Sequence, residues 1–468
     1  MRYVSTRGQS PPVSFAEAAL GGVAPDGGLY VPETWPSLAP LLTPAAAQPY
    51  AVTASAVLGL FAGDELTLEE RRRISTQAYG GGRFDSPAVA PLHQLDGGRW
   101  LLDLMHGPSL AFKDVALQLL GQLYEHLLAR TGRRITVVCA TSGDTGGAAV
   151  EALRGSERAD LFVLTPKNRI SEVQRRFITT SGAANVHVLE VDADFDLCQG
   201  LVKALFTDAD FASRAALSAV NSVNWARILA QSVYFVRAAA ALSSQGPIDF
   251  VVPTGNFGDA YSAYAAKLMG APIQRIGLAV NANDILVRAL REGRYERAPH
   301  SIATSSPAMD IQVASNFERL VFEASGRDAA LTRASFETLS RTGGFDIPQA
   351  ALEHMRASFV AMSASEPVTM QALSRHYMQH RQMICPHTAV GFGAFRGDAT
   401  WSMHTPCVYL ATAHPAKFPE TVERATGVRP QLPAKCATLF AREERIDSIP
   451  ATAEALKNFI SERSRAWT

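Results

Sequence analysis

Lys113 sits in the segment HGPSLAFKD, His106 to Asp114, between an aromatic side chain and an expected helix start. The ALQLLGQLYEHLLAR run that follows puts Leu117, Leu120, Leu123 and Leu127 on one helical face, which predicts Lys113 and Asp114 in the first turn. Unsatisfied amides carry partial positive charge there, and Phe112 would desolvate the amine. Both effects disfavour the ammonium form and leave a nucleophile able to form a Schiff base. An ordinary solvated lysine at a helix end has the same local sequence, so the residue needs company to mean anything. VVCATSGDTGGAAVEAL, from Val137, and FVVPTGNFGDAYSAYAAKLMG, from Phe250, supply it. Each is a short apolar run, a turn of small residues and a helical pattern, which sets free amides and a helix dipole where an anion is favoured. Neither has the GxxxxGK[ST] or GxGxxG spacing of nucleotide folds, although tight strand-to-helix turns also use glycine without binding anything.

A reactive lysine with two anion cradles in one α/β chain suits pyridoxal phosphate, whose aldehyde takes the amine while its phosphate occupies a helix terminus. PCVYLATAHPAKF, from Pro406, offers Thr412 at a strand end as a hydroxyl partner for the pyridine nitrogen. With no charged partner that nitrogen need not be protonated, which makes a milder electron sink than an Asp-paired pyridinium. A hydroxyl bonded to its own backbone is the plainer alternative for Thr412.

STRGQ near Ser5, APDGGLYVPE from Ala24, HGPSLAFKD, ATSGDTGGAA from Ala140, NSVNWARILAQ from Asn221, VPTGNFGD from Val252, MDIQVASNFER from Met309, PHTAVG from Pro386 and TAHPAKF from Thr412 follow one another along nearly the whole chain. In content and order these segments resemble the threonine synthase family, fold-type II pyridoxal-phosphate enzymes, and most of all its longer bacterial and fungal branch. The resemblance implies a tryptophan-synthase-β-like α/β fold with two doubly wound parallel-sheet domains, an N-terminal cap and a helical insertion. It implies that Lys113 carries the cofactor, that Gly255, Asn256, Phe257, Gly258 and Asp259 surround its phosphate, and that Thr412 lies beside its pyridine nitrogen. Thr141, Ser142 and Thr145 would face the substrate, and Asn221, Ser222, Asn224 and Arg227 would hold its phosphate. A guanidinium suits that dianion better than an ammonium does. The lysine motif of the family usually reads HGPT; Ser109 keeps the hydroxyl and loses a methyl. Asp144 stands where many fold-type II lyases have an amide that touches the phenolic oxygen of the ring, and that contact is not assigned to it.

The implied reaction converts O-phospho-L-homoserine and water into L-threonine and phosphate, by γ-elimination of phosphate and β-addition of water. One base must then serve several carbons, which fits a lysine poised near neutrality. A related phospho-lyase that releases a 2-oxo acid, or a catalytically silent ligand-binding relative, would keep much of the same scaffold. His376 and His380, one helical turn apart, with Cys385 and His387 close behind, could form a transition-metal site, but the glutamate of HExxH is absent and no metal is assigned.

These side chains need a frame to hold them. ITVVCA, DLFVLT, NVHVLEV, IDFVVP and RIGLAV alternate with helical patterns, the signature of parallel α/β layers whose ligands lie outside the strand carboxyl ends. We divide the chain into a cap (1–95), catalytic α/β domains (96–290 and 385–440), an insertion (291–384) read as helices such as ERLVFEAS and ALEHMRASFVAMS, and a helical tail (441–468). A chain of 468 residues, 47% hydrophobic, can bury a core of that extent. Lys and Arg total 44 and so do Asp and Glu, which leaves no electrostatic footprint for nucleic acid or anionic membrane. Five cysteines without CxxC pairs argue against a disulfide framework or a zinc ribbon. No apolar leader opens the chain, and no stretch approaches the roughly 20 apolar residues that span a bilayer. The expectation is a cytoplasmic enzyme of a small-molecule substrate, monomeric if the branch is a guide.

Overall fold

The computed structural model describes all residues except 46, 142, 168–169, 194, 397–400 and 402–404. The large sheet is built from β1 (Leu92–Asp96), β2 (Arg99–Asp103), β7 (Ile248–Pro253), β8 (Ile273–Val280), β9 (Phe359–Ser363) and β10 (Cys407–Ala411), and the smaller one from β3 (Ile135–Ala140), β4 (Ala159–Pro166), β5 (Val186–Val191), β6 (Leu217–Ser218) and β11 (Asp447–Ile449). Their orders are β9-β8-β7-β10-β2-β1 and β11-β5-β4-β3-β6. Every pairing is parallel except the β1–β2 hairpin. The central strands β4 and β7 are buried along their whole length, which is why they read as unbroken apolar runs: helices cover both faces of a parallel sheet.

The helices that matter for the site each start just beyond a strand: α1 (Lys113–Thr131), α2 (Asp144–Leu153), α3 (Trp225–Leu242) and α4 (Gly258–Leu268), with α5 (Glu366–His380) and α6 (Pro386–Ala394) on the large sheet and α7 (Ala453–Arg463) near the end of the chain. Lys113 opens α1, and Leu117, Leu120, Leu123 and Leu127 are all buried as the periodicity demands.

Three boundaries differ from the sequence reading. The β1–β2 hairpin straddles residue 95, so the cap and the catalytic layers share an element. Residues 291–384 are not purely helical: the helix Gln349–Ser358 stops in the middle of ALEHMRASFVAMS, and Phe359–Ser363 adds β9 to the edge of the large sheet in register with Ile276–Val280. Likewise the tail adds β11 beside β5 before α7 begins. In both places ladder bonds to a distant strand override a local helical pattern. The cap docks through aromatic packing on fully buried Trp225, whose ring meets Tyr3, Trp35 and Phe61 at centroid separations of 5.5–5.9 Å. Among the described residues no helix is long and apolar enough to cross a membrane.

Candidate active site

Chain segments leaving the carboxyl ends of β2, β3, β6, β7 and β10 converge on one cavity, the location expected for ligands of parallel α/β sheets. Its lining includes Lys113, Thr145, Ser222, Arg227, Gly255 through Asp259 and Thr412. The lysine loop is fixed by Asp114 in the first turn of α1: its carboxylate accepts the Ser109 hydroxyl at 2.6 Å and the Ser109 and Ala111 amides at 2.9 and 3.3 Å. Gly107 is required here, since a Cβ would come within 2.5 Å of that carboxylate. Thr412 is brought alongside when the Phe112 amide donates to its carbonyl at 2.8 Å, while its own amide donates to the Thr388 hydroxyl at 3.1 Å.

The Lys113 amine lies 3.7 Å from an Asp144 carboxylate oxygen and 4.6 Å from the centre of the Phe112 ring. Burial lowers its pKa from the ordinary lysine value; Asp144 opposes that, and Arg227 and Lys417 reinforce it. Burial alone would raise the Asp144 carboxyl, but Lys417, by charge and hydrogen bond, and the protonated form of Lys113 outweigh it and hold Asp144 well below the usual range, ionised.

Across the cavity, the loop after β7 approaches other backbone so closely that a Cβ on Gly255 would sit 2.6 Å from the Ala308 carbonyl. Phe257 takes a left-handed φ of 61°, and its ring packs on Phe317 and Phe359 while the backbone turns into α4. Asp259 is buried, accepts the Tyr234 hydroxyl on one oxygen, and has no partner for the other among the described residues. Burial pushes its pKa up to about 7. Arg227 is 3% exposed, donates to the Val220 carbonyl at 2.9 Å and leaves Nε unpartnered; burial brings it down to about 10, so it stays charged. A buried cation and a half-neutralised carboxyl with idle polar atoms, beside a helix amino terminus, form a socket for an anionic ligand.

Some expected residues serve the scaffold instead. Asn224 is fully buried as the cap of α3: its oxygen accepts the Ala226 amide at 2.9 Å and its nitrogen donates to the Ala19 carbonyl at 2.8 Å. Thr141 accepts the Gly143 and Gly146 amides at 3.0 and 2.9 Å, which shapes the turn before α2. Asn221 is exposed and does not line the cavity. Ser142 lies outside the described residues. The residues considered as metal ligands divide: His376 and His380 line a separate cavity against α6, while His387 lines this one and the Cys385 sulfur lies 3.8 Å from the Thr412 hydroxyl.

Sequence reasoning gave no place at the site to Lys417, Gln174 or His387. Lys417 is 0% exposed and bridges Asp144 at 2.8 Å and the Ser109 carbonyl at 2.7 Å. Gln174 donates to Asp144 at 3.0 Å. Burial pushes His387 down to about 4, so it is neutral, and its Nε2 accepts the Ala308 amide at 3.3 Å. Lys417 and His387 stand inside segments that carry the family resemblance, TAHPAKF and PHTAVG, so position was legible but role was not.

Known proteins match this architecture along its length. Family profiles described as threonine synthase N terminus, pyridoxal-phosphate dependent enzyme, and threonine synthase, C-terminal cover residues 2–79, 84–402 and 388–460. Threonine synthase of Pseudomonas aeruginosa is 42% identical over 99% of this chain and 98% of its own. The chain belongs to the threonine synthase family. The pyridoxal-phosphate-bound threonine synthase structure from Brucella melitensis superposes with a TM-score of 0.94, at 45% identity and full coverage of both chains, and the yeast threonine synthase structure with 0.90, at 36% identity over 99% and 98%. The chain is thus a fold-type II enzyme, and its cofactor is pyridoxal phosphate. The cavity fits that group: Lys113 offers a largely shielded amine, the turn from Gly255 to Gly258 opens α4 with its helix amino terminus at the cavity, and Arg227 Nε and one Asp259 oxygen are without partners among the described residues.

Proposed function

We propose that this threonine synthase family member converts O-phospho-L-homoserine and water into L-threonine and inorganic phosphate. The observation that carries the reading is one cavity holding a largely shielded amine, Lys113, together with two places for phosphate: the turn into α4, and Arg227 with Ser222 at the start of α3. Gly255 through Asp259 would hold the cofactor phosphate and Thr412 the ring nitrogen. When bound, pyridoxal phosphate supplies an electron sink that acidifies the carbons near the substrate amine. Arg227 and Ser222 hold the phosphate that leaves the γ-carbon, and Thr145 presents its hydroxyl beside the substrate. Lys113 moves the protons, taking one each from the α- and β-carbons and returning one to the γ-carbon; water then adds its hydroxyl at the β-carbon, and the remaining proton is returned to the α-carbon. Burial lowers the Lys113 pKa, which favours the unprotonated amine that this work demands. Arg227 stays protonated throughout that range, so the substrate phosphate keeps its counter-charge. We place the enzyme in the cytoplasm, acting on a small molecule and needing neither nucleic acid nor membrane.

Purified protein loaded with pyridoxal phosphate and given O-phosphohomoserine should release threonine and phosphate in equal amounts. Formation of 2-oxobutyrate in place of threonine would assign the related lyase activity. Lys113→Ala should fold, as judged by an unchanged circular dichroism spectrum, and form no threonine; substantial turnover by it would overturn the role given to the amine.

A further inference from the structure

The Lys113 amine has a carboxylate neighbour whose charge ought to work against it. Asp144 lies 3.7 Å away at the amino end of α2, and an unopposed buried carboxylate at that distance would keep a proton on the amine. Asp144 is not unopposed. Its other oxygen receives Lys417 at 2.8 Å and Gln174 at 3.0 Å, and all three side chains are buried. Lys417 comes from the turn after β10, Gln174 from the helix Glu172–Thr179, and neither touches the cavity that holds Lys113. Lys417 also donates to the Ser109 carbonyl at 2.7 Å, which ties the turn after β10 to the lysine loop. The other charged or titratable groups around the pair are Arg227 from α3, Asp259 from α4, neutral His387 from α6, and Asp114 from α1, which is engaged with Ser109.

We propose that Lys417 is a positioning residue for the catalytic amine: its buried ammonium offsets the charge of Asp144, so that the carboxylate aims Lys113 into the cavity without holding a proton on it. Asp144 and Lys417 together are neutral. Lys113 therefore experiences burial and the Arg227 cation as the dominant influences, and both favour its neutral form. The inference rests on Lys113 being the cofactor-bearing amine.

The test is the rate at which the full-length protein, freed of cofactor, captures saturating pyridoxal phosphate, followed by its visible absorbance as a function of pH. Capture needs the unprotonated amine, so the rate rises through the pKa of Lys113. Lys417→Gln keeps a hydrogen-bond donor and removes the charge; its midpoint should move up by about one pH unit or more. The charge-balanced double variant Asp144→Asn/Lys417→Gln should recover most of that displacement. A midpoint that stays put or falls in Lys417→Gln, or a double variant displaced as far as the single, overturns the proposal. Should Lys417→Gln fail to fold or to capture while the double variant does both, the charge account is supported; failure of both assigns Lys417 to the scaffold and overturns it. Were Lys113 not the capturing amine, Lys113→Ala would capture as the parent does, an outcome that sinks the underlying reading and is separate from all of these.

Discussion

Asp259 presents the sharpest electrostatic question among the single residues. A carboxyl in a phosphate cradle would repel its ligand if ionised, yet burial holds its pKa at about 7, and the oxygen not occupied by Tyr234 can carry the proton and donate it to an anion. Below that pH the protonated form is present and binding of a phosphate dianion is favoured. As pH rises through 7 the proton is lost, and affinity for pyridoxal phosphate should fall, approaching about tenfold per pH unit. Asp259→Asn, neutral at every pH, should abolish the fall. Equilibrium titration of parent and variant at about pH 6 and about pH 8.5 checks this, and the comparison cancels the ionisation of the ligand itself. Equal slopes in the two proteins would mean that the carboxyl stays ionised beside the phosphate.

At the scale of elements, the site depends on turns pressed against other backbone. A methyl on Gly255 would sit 2.6 Å from the Ala308 carbonyl and 3.3 Å from the Met309 Cα, neither of which is the end of a flexible side chain. Gly255→Ala should therefore cost about 1–3 kcal/mol of thermal stability through overpacking and weaken cofactor binding, because the turn moves away from the helix that follows it. Gly200, in the helix Phe195–Thr207, is the matching control: a methyl there would meet nothing within 4 Å, and Gly200→Ala should be neutral or stabilise by up to about 1 kcal/mol. Thermal unfolding and cofactor titration of both variants separate local strain from a general glycine effect.

The same scale explains what could be read from the chain. The buried strands β3, β4, β7, β8 and β10 announce themselves because burial on both faces demands continuous apolar runs. Lys113 at a helix start is legible because the leucine period of α1 is local. What escaped was set by distant partners. FVAMS joins a helical pattern until pairing with β8 claims it. Asn224 has the chemistry of a phosphate ligand and is spent on capping α3, and Lys417 has the chemistry of a surface cation and is buried against Asp144. Polar residue types state what a side chain can do; only the packing states which neighbour it does it with.

Over the whole molecule, one buried guanidinium links the cap to the site. Arg319 is 0% exposed and donates to the Tyr30 carbonyl at 3.0 Å, the Val223 carbonyl at 2.6 Å and the Asn316 side chain. Asn316 in turn donates to the carbonyls of Asn256 and Ser222, both at 3.1 Å, and so joins the turn after β7 to the segment before α3. Next to it, Glu318 receives Arg7 at 2.9 Å and Thr6 at 2.6 Å, a second tie between cap and insertion. The cap is therefore tied to both segments proposed to hold phosphate without entering the cavity. Arg319→Met fills similar volume and removes the donors, leaving two buried carbonyls unpaired, and should destabilise the fold by about 3 kcal/mol or more. Its particular signature is a loss of cofactor affinity together with faster proteolysis within residues 1–80, because both ends of the link are freed at once. Glu318→Gln weakens only the second tie and should loosen the cap while leaving cofactor affinity near the parent value. Cofactor titration and limited proteolysis of the two variants distinguish a cap that positions the site from one that merely covers the core, and equal cofactor affinity in Arg319→Met and the parent would leave the cap no positioning role.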